Sequence, residues 1–89
     1  MLVMDVREQF GQILRKHRIS RQLTQEELAF RAGMNVTYLS DIERGRSSPS
    51  LVLLVDLSLA LSLHPSELLR EIDIENLGIQ ATRKRPKDS

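Results

Sequence analysis

The chain contains no cysteine and no tryptophan, and only three aromatic residues, Phe10, Phe30 and Tyr38. Without thiols there is no disulfide framework and no thiolate chemistry. With so few rings, any core must be aliphatic. No apolar run reaches the roughly 18 residues of a bilayer span. The longest stretch, residues 51–63, is interrupted by Asp56, Ser58 and Ser62. The N-terminus lacks a basic segment followed by an apolar one, so the expected compartment is the cytoplasm and no membrane partner is expected. Glycine-rich phosphate loops, metal-ligand clusters and nucleophile elbows are all missing. The two histidines stand apart: His17 falls on a charged helix face and His64 in a capping position, neither with acid–base or ligand partners by spacing. No catalytic residue, metal site or cofactor is therefore expected, and the chain does not read as an enzyme.

What is present is one small domain's worth of chain, 89 residues of which 40% are hydrophobic. A domain of this size buries a modest share of its surface, so self-association would help its stability. The net charge of +1 hides an uneven distribution. Residues 1–49 carry eight basic and six acidic side chains, residues 50–82 one and five, and residues 83–89 four and one. A basic front and an acidic back suit a molecule that meets phosphate on one side and its own kind on the other.

Residues 24–45, TQEELAFRAGMNVTYLSDIERG, organise the rest. Thr24 followed by Glu27 is a capping box, predicting a helix over residues 25–32. Gly33 stands where the backbone needs positive φ. Asn35 is a suitable N-cap for a second helix over residues 36–44, and Gly45 ends it. Leu28, Ala29 and Ala32 share one face, Leu39 and Ile42 another, and Met34 fills the turn. Small Ala29 suits the closest point of a steep crossing. Around this pair the spacing predicts a first helix over residues 6–19, capped by Asp5, with Phe10, Ile13 and Leu14 inward and Arg7, Arg15, Lys16 and Arg21 outward. A fourth helix over residues 50–62, apolar on more than one face, is expected to be the most buried element. Pro65 opens a fifth.

This stretch resembles the Cro/CI-type helix-turn-helix regulators, also called the xenobiotic-response-element (XRE) family, over roughly residues 6–69. Gln25, Leu28, Ala29, Gly33, Leu39, Ile42, Glu43 and Gly45 carry the likeness, with Arg18 upstream and Pro49, Ser50 and Leu51 downstream. The resemblance implies an all-α, five-helix, lambda-repressor-like DNA-binding domain over residues 1–79 with a short C-terminal extension. It implies a sequence-specific transcriptional regulator binding double-stranded DNA as a homodimer on a palindromic operator. Arg18 is expected to pair with Glu43 and fix the angle between helices. Gln22 replaces a glycine common in the family, so the preceding turn is expected to differ slightly.

By family register, Val36, Thr37 and Asp41 meet base edges. Thr37 can exchange a hydrogen bond or touch a thymine methyl, Val36 offers an apolar contact, and Asp41 can accept from cytosine N4. Thr24, Gln25, Asn35, Tyr38, Arg44, Arg46, Ser47 and Ser48 are the expected phosphate contacts, with Tyr38 equally suited to packing inward. The fifth helix and its extension, through Leu68, Leu69, Ile72, Ile74 and Leu77, read as the dimer surface, or Ile74 and Leu77 fold back on their own core. Residues 80–89 lack apolar periodicity and are expected to be disordered. The basic run from Arg83 to Lys87 either adds phosphate contacts or is a solvated tail. Stand-alone controllers, phage repressors and operon antitoxins all fit the pattern. RNA polymerase or a cognate toxin would then be the protein partner. A protein-interaction module on the same fold is the alternative. Asn35-Val36-Thr37 matches a glycosylation sequon by coincidence.

Overall fold

The computed structural model describes residues 4–77. Five α-helices follow one another, α1 (Val6–Ser20), α2 (Gln25–Ala32), α3 (Val36–Glu43), α4 (Leu51–Ala60) and α5 (Pro65–Leu69), then a single 3₁₀ turn, Ile74–Asn76. Among the described residues there is no strand, and none of the helices is long and apolar enough to cross a membrane. The expectations for residues 80–89, and for the end of the extension at Ile79, fall outside the described residues.

Local chemistry sets the helix ends. Asp5 and Thr24 each accept the N–H three residues on, and Glu8 and Glu27 reach back to the cap N–H, closing two capping boxes. Those N–H donors hold the Asp5 and Glu27 carboxyls below their ordinary ranges. Asn35 Oδ1 accepts from the Thr37 and Tyr38 amides and starts α3. Gly33, at φ +67°, turns the chain between α2 and α3. His64 Nδ1 accepts from the Ser66 amide, and Pro65 occupies the first turn of α5. Gln22 holds a left-handed φ of +57° in the turn that follows α1.

The core is aliphatic around one ring. Leu14, Leu28, Leu39, Ile42, Leu57, Leu61 and Leu68 are almost fully enclosed, with Phe10 beside them. Gly11 is buried where α1 crosses the C-terminal end of α3. A Cβ there would lie 2.4 Å from the Ile42 carbonyl oxygen and 2.6 Å from that of Glu43. The contact is backbone against backbone, and only glycine permits it.

Two expectations require correction. The fourth helix is not the most buried element. Leu54, Leu57 and Ser58 face inward, whereas Leu51, Val52 and Leu59 are 76%, 71% and 69% exposed and Val55 is also open. α4 packs against α2 and α5, while the longest helix, α1, packs on α3 and α5 instead, so the outer side of α4 is left uncovered. Leu68 cannot belong to an intermolecular surface, because it is completely enclosed in its own core. Of the remaining residues assigned there, Leu69 and Ile74 are exposed, and Ile72 and Leu77 are half-buried. Ile72 packs on the core.

Candidate nucleic-acid interface

The centre of the site is an ion pair that joins three helices. Arg18 of α1 donates through Nε to Glu43 Oε2 at 2.7 Å and through Nη2 to Oε1 at 3.0 Å. Its Nη1 donates to the Leu23 carbonyl at 2.8 Å, tying down the turn before α2. Gln25, at the start of α2, donates Nε2 to Glu43 Oε1 at 3.0 Å. Both side chains of the ion pair are enclosed, at 11% and 3% exposure. The Glu43 carboxylate holds the Arg18 guanidinium pKa above its ordinary value. A bidentate arginine–carboxylate pair has one good geometry. It therefore fixes α3 relative to α1 and to the start of α2.

That scaffold leaves the N-terminal end of α3 facing outward. Asn35 and Thr37 are exposed there. The Asn35 amide nitrogen has no partner among the described residues, since only its oxygen is used in capping. Val36 is half-buried and packs on the core, so only part of it can meet a base. Asp41 is half-buried one turn on, and no ion pair joins it to Arg44. Tyr38 turns inward: its hydroxyl donates to the Ser48 carbonyl at 2.9 Å and pins the loop after α3. Its single O–H is thereby spent, so a phosphate could claim it only by breaking that bond.

Thr24 is exposed and keeps its hydroxyl proton, because its oxygen acts as the acceptor in the capping box. Gln25 is half-buried and retains one of its two amide hydrogens. Arg44 and Arg46 are exposed, Ser47 is half-buried and Ser48 is exposed. Thus the structure brings Gln25 and Arg44 around the Arg18–Glu43 pair, while Thr24 caps α2 and Arg46, Ser47 and Ser48 lie on the loop that Tyr38 anchors.

Two groups escaped the reading of the sequence. Arg15 borders a polar concavity with Arg18, Gln25, Ser40, Glu43 and Arg44. Its spacing of three residues from Arg18 was the available signal, since i and i+3 share a helix face. His17, which had no partner by spacing, lies against Glu71 through Nε2, and Lys16 pairs with the same carboxylate. Hydrogen bonds from Lys16 and His17 hold the Glu71 pKa below its ordinary range. Together with Gln9, which exchanges hydrogen bonds with the Asp73 backbone, they strap the segment after α5 across α1.

Two short helices joined by a glycine turn, the second presenting an open N-terminal end, define a helix-turn-helix DNA-binding domain. The helix-turn-helix family model matches residues 14–68. An uncharacterised HTH-type transcriptional regulator of Sinorhizobium fredii, y4dJ, is 39% identical over 75 residues, covering 84% of this chain and 97% of its own. Control protein C.BamHI of Bacillus amyloliquefaciens is 41% identical over 73 residues, covering 81% and 90%. The crystal structure of the restriction-modification controller protein C.AhdI from Aeromonas hydrophila matches with a TM-score of 0.69 at 42% identity, over 70% of this chain and 94% of that one. The chain belongs to the helix-turn-helix family of DNA-binding transcriptional regulators, in its small XRE-type form.

Proposed function

We propose that the protein is a stand-alone controller that binds an approximately palindromic operator as a homodimer. In each subunit α3 enters the major groove by its N-terminal end. Thr37 and the exposed part of Val36 meet base edges there, with Asp41 one turn further in. Thr24, Gln25, Asn35, Arg44, Arg46, Ser47 and Ser48 hold the phosphates on either side, which sets register without reading sequence. The observation that carries this reading is the open N-terminal end of α3, with exposed Arg44 and Arg46 beyond its other end, on a helix held in place by a buried ion pair.

The exposed stripe on α4 supports association. Leu51, Val52, Val55 and Leu59 form an apolar face that a monomer would leave in water. The dimer surface then centres on α4, with exposed Leu69 and Ile74 as further apolar contributors, rather than on α5 and its extension. Such a dimer would present its two α3 helices about 34 Å apart, to successive major grooves. The controller subclass draws support from C.BamHI and C.AhdI, whose lengths this chain spans almost entirely. RNA polymerase is the protein partner that such a regulator would influence.

Base-reading and phosphate-holding residues should separate experimentally. Thr37→Ala should change the preferred sequence. Arg46→Ala should weaken binding to every sequence alike and lower the salt slope by about one unit. Equal effects of both variants on all sequences would sink the assignment. An interaction module on this fold would use the same α4 stripe but show no sequence preference on DNA.

A further inference from the structure

Beside the recognition helix lies a second feature that the helix-turn-helix motif does not account for. The polar concavity between α1, the start of α2 and the second half of α3 has a volume of about 340 Å³. That is on the order of ten water volumes. Its lining carries three arginines, Arg15, Arg18 and Arg44, against one carboxylate, Glu43. The carboxylate is saturated. Oε2 accepts from Arg18, and Oε1 accepts from Arg18 and from Gln25. Glu43 and Arg18 therefore make a neutral floor.

Arg15 and Arg44 are left over. Both are exposed at the rim, and neither has an ion pair or a hydrogen-bonded acceptor among the described residues. The Glu26 carboxylate acts on Arg18, the residue already paired with Glu43. Ser40, half-buried in the lining, and the second amide hydrogen of Gln25 add neutral donors. A concavity with two unneutralised guanidinium groups and neutral donors between them is complementary to an oxyanion.

We propose that this concavity seats one phosphodiester of the DNA backbone, held between Arg15 and Arg44. The proposal rests on the DNA-binding reading above and adds a contact from α1, a helix outside the motif. Arg15 and Arg44 close on the phosphate from opposite walls. Arg18 stays with Glu43, because releasing it would strand a buried carboxylate. Arg44 ends α3 and leads directly into the Tyr38-anchored loop, so this clamp extends the backbone contacts of that loop onto α1.

The test compares wild type, Arg15→Gln and Arg15→Lys on a DNA duplex selected by the wild type and on an unrelated duplex, across a salt series. Arg15 is exposed and unpaired, so all three proteins should melt at the same temperature. Arg15→Gln should weaken both complexes by the same factor and lower the salt slope by about one unit, while Arg15→Lys restores most of the slope. If Arg15→Gln matches wild type on both duplexes while wild type still prefers its selected site, the concavity is empty in the complex. The proposal then falls and the DNA-binding reading stands. If wild type prefers no sequence and binds no duplex, both fall. A separate arm adds inorganic phosphate at constant ionic strength without DNA. Thermal protection that Arg15→Gln abolishes, with DNA binding untouched by that variant, would make this a free-anion site and overturn the DNA assignment.

Discussion

Removing either partner of the Arg18–Glu43 pair should cost a large part of the domain's stability. Each side chain is nearly enclosed, and each satisfies more than the other. Arg18→Ala leaves the Glu43 carboxylate with only the Gln25 amide, and it frees the Leu23 carbonyl. Glu43→Ala leaves the guanidinium with one carbonyl and Gln25 with none of its present partner. Stranding a charge in this way costs about 3–5 kcal/mol. A chain of this length has a total of roughly 4–13 kcal/mol to lose. At about 4–8 °C per kcal/mol for a domain this small, each single variant should melt at least about 12 °C below wild type. The double variant strands no charge. Its cost should fall short of the sum of the singles by about 0.5–3 kcal/mol. Thermal and urea melts followed by helical circular dichroism measure all four corners of the cycle. Additive costs, or single costs below about 1 kcal/mol as for a solvent-exposed pair, would refute the reasoning.

Gly11→Ala should also destabilise, although alanine is the better helix former by about 1 kcal/mol. The new methyl would meet two backbone carbonyls of α3, and overpacking of that kind costs about 1–3 kcal/mol or more. A melt at or above the wild-type temperature would show that α1 and α3 are not so closely crossed. Stability should also decline in acid. Asp5, Glu27 and Glu71 have lowered pKa values in the folded protein, so their contributions are complete above the unfolded values of 3.8 for Asp5 and 4.5 for the glutamates. They are lost as pH falls through the still lower folded values. The melting temperature should hold at pH 5 and fall towards pH 3, less steeply in Glu27→Gln. A Glu27→Gln profile as steep as that of wild type would exclude the capping carboxylate as a contributor.

The parts of the fold that could be read from sequence are those encoded within one turn of helix. Asp5 with Glu8, Thr24 with Glu27, and Asn35 mark the starts of α1, α2 and α3 through contacts two or three residues apart. Gly33 marks the turn by its conformational freedom. The rest depends on residues far apart in the chain. Apolar side chains all around α4 signal burial whether the cover is the same chain or another, so the pattern alone could not separate Leu57 from Leu59. Leu68 and Leu69 are identical in kind, and only the packing of α5 on α1 and α4 puts the first inside and the second at the surface. The His17–Glu71 contact spans 54 residues, beyond any local spacing rule. Gly11 carries no turn signal because its role is close approach within a helix. Of the interface residues, Thr37, Arg44 and Arg46 lie in the open. Tyr38 is drawn inward by a carbonyl ten residues on, which sequence left as one of two equal choices.

The most direct test of the account is selection of bound sequences from a random DNA pool, repeated at low and moderate salt. The account predicts enrichment of an approximate palindrome whose half-sites lie about one helical turn apart. Enrichment should survive the higher salt. Binding without enrichment, vanishing as salt rises, would mean that only phosphate attraction acts, and would contradict the claim that this domain reads DNA sequence as a dimer.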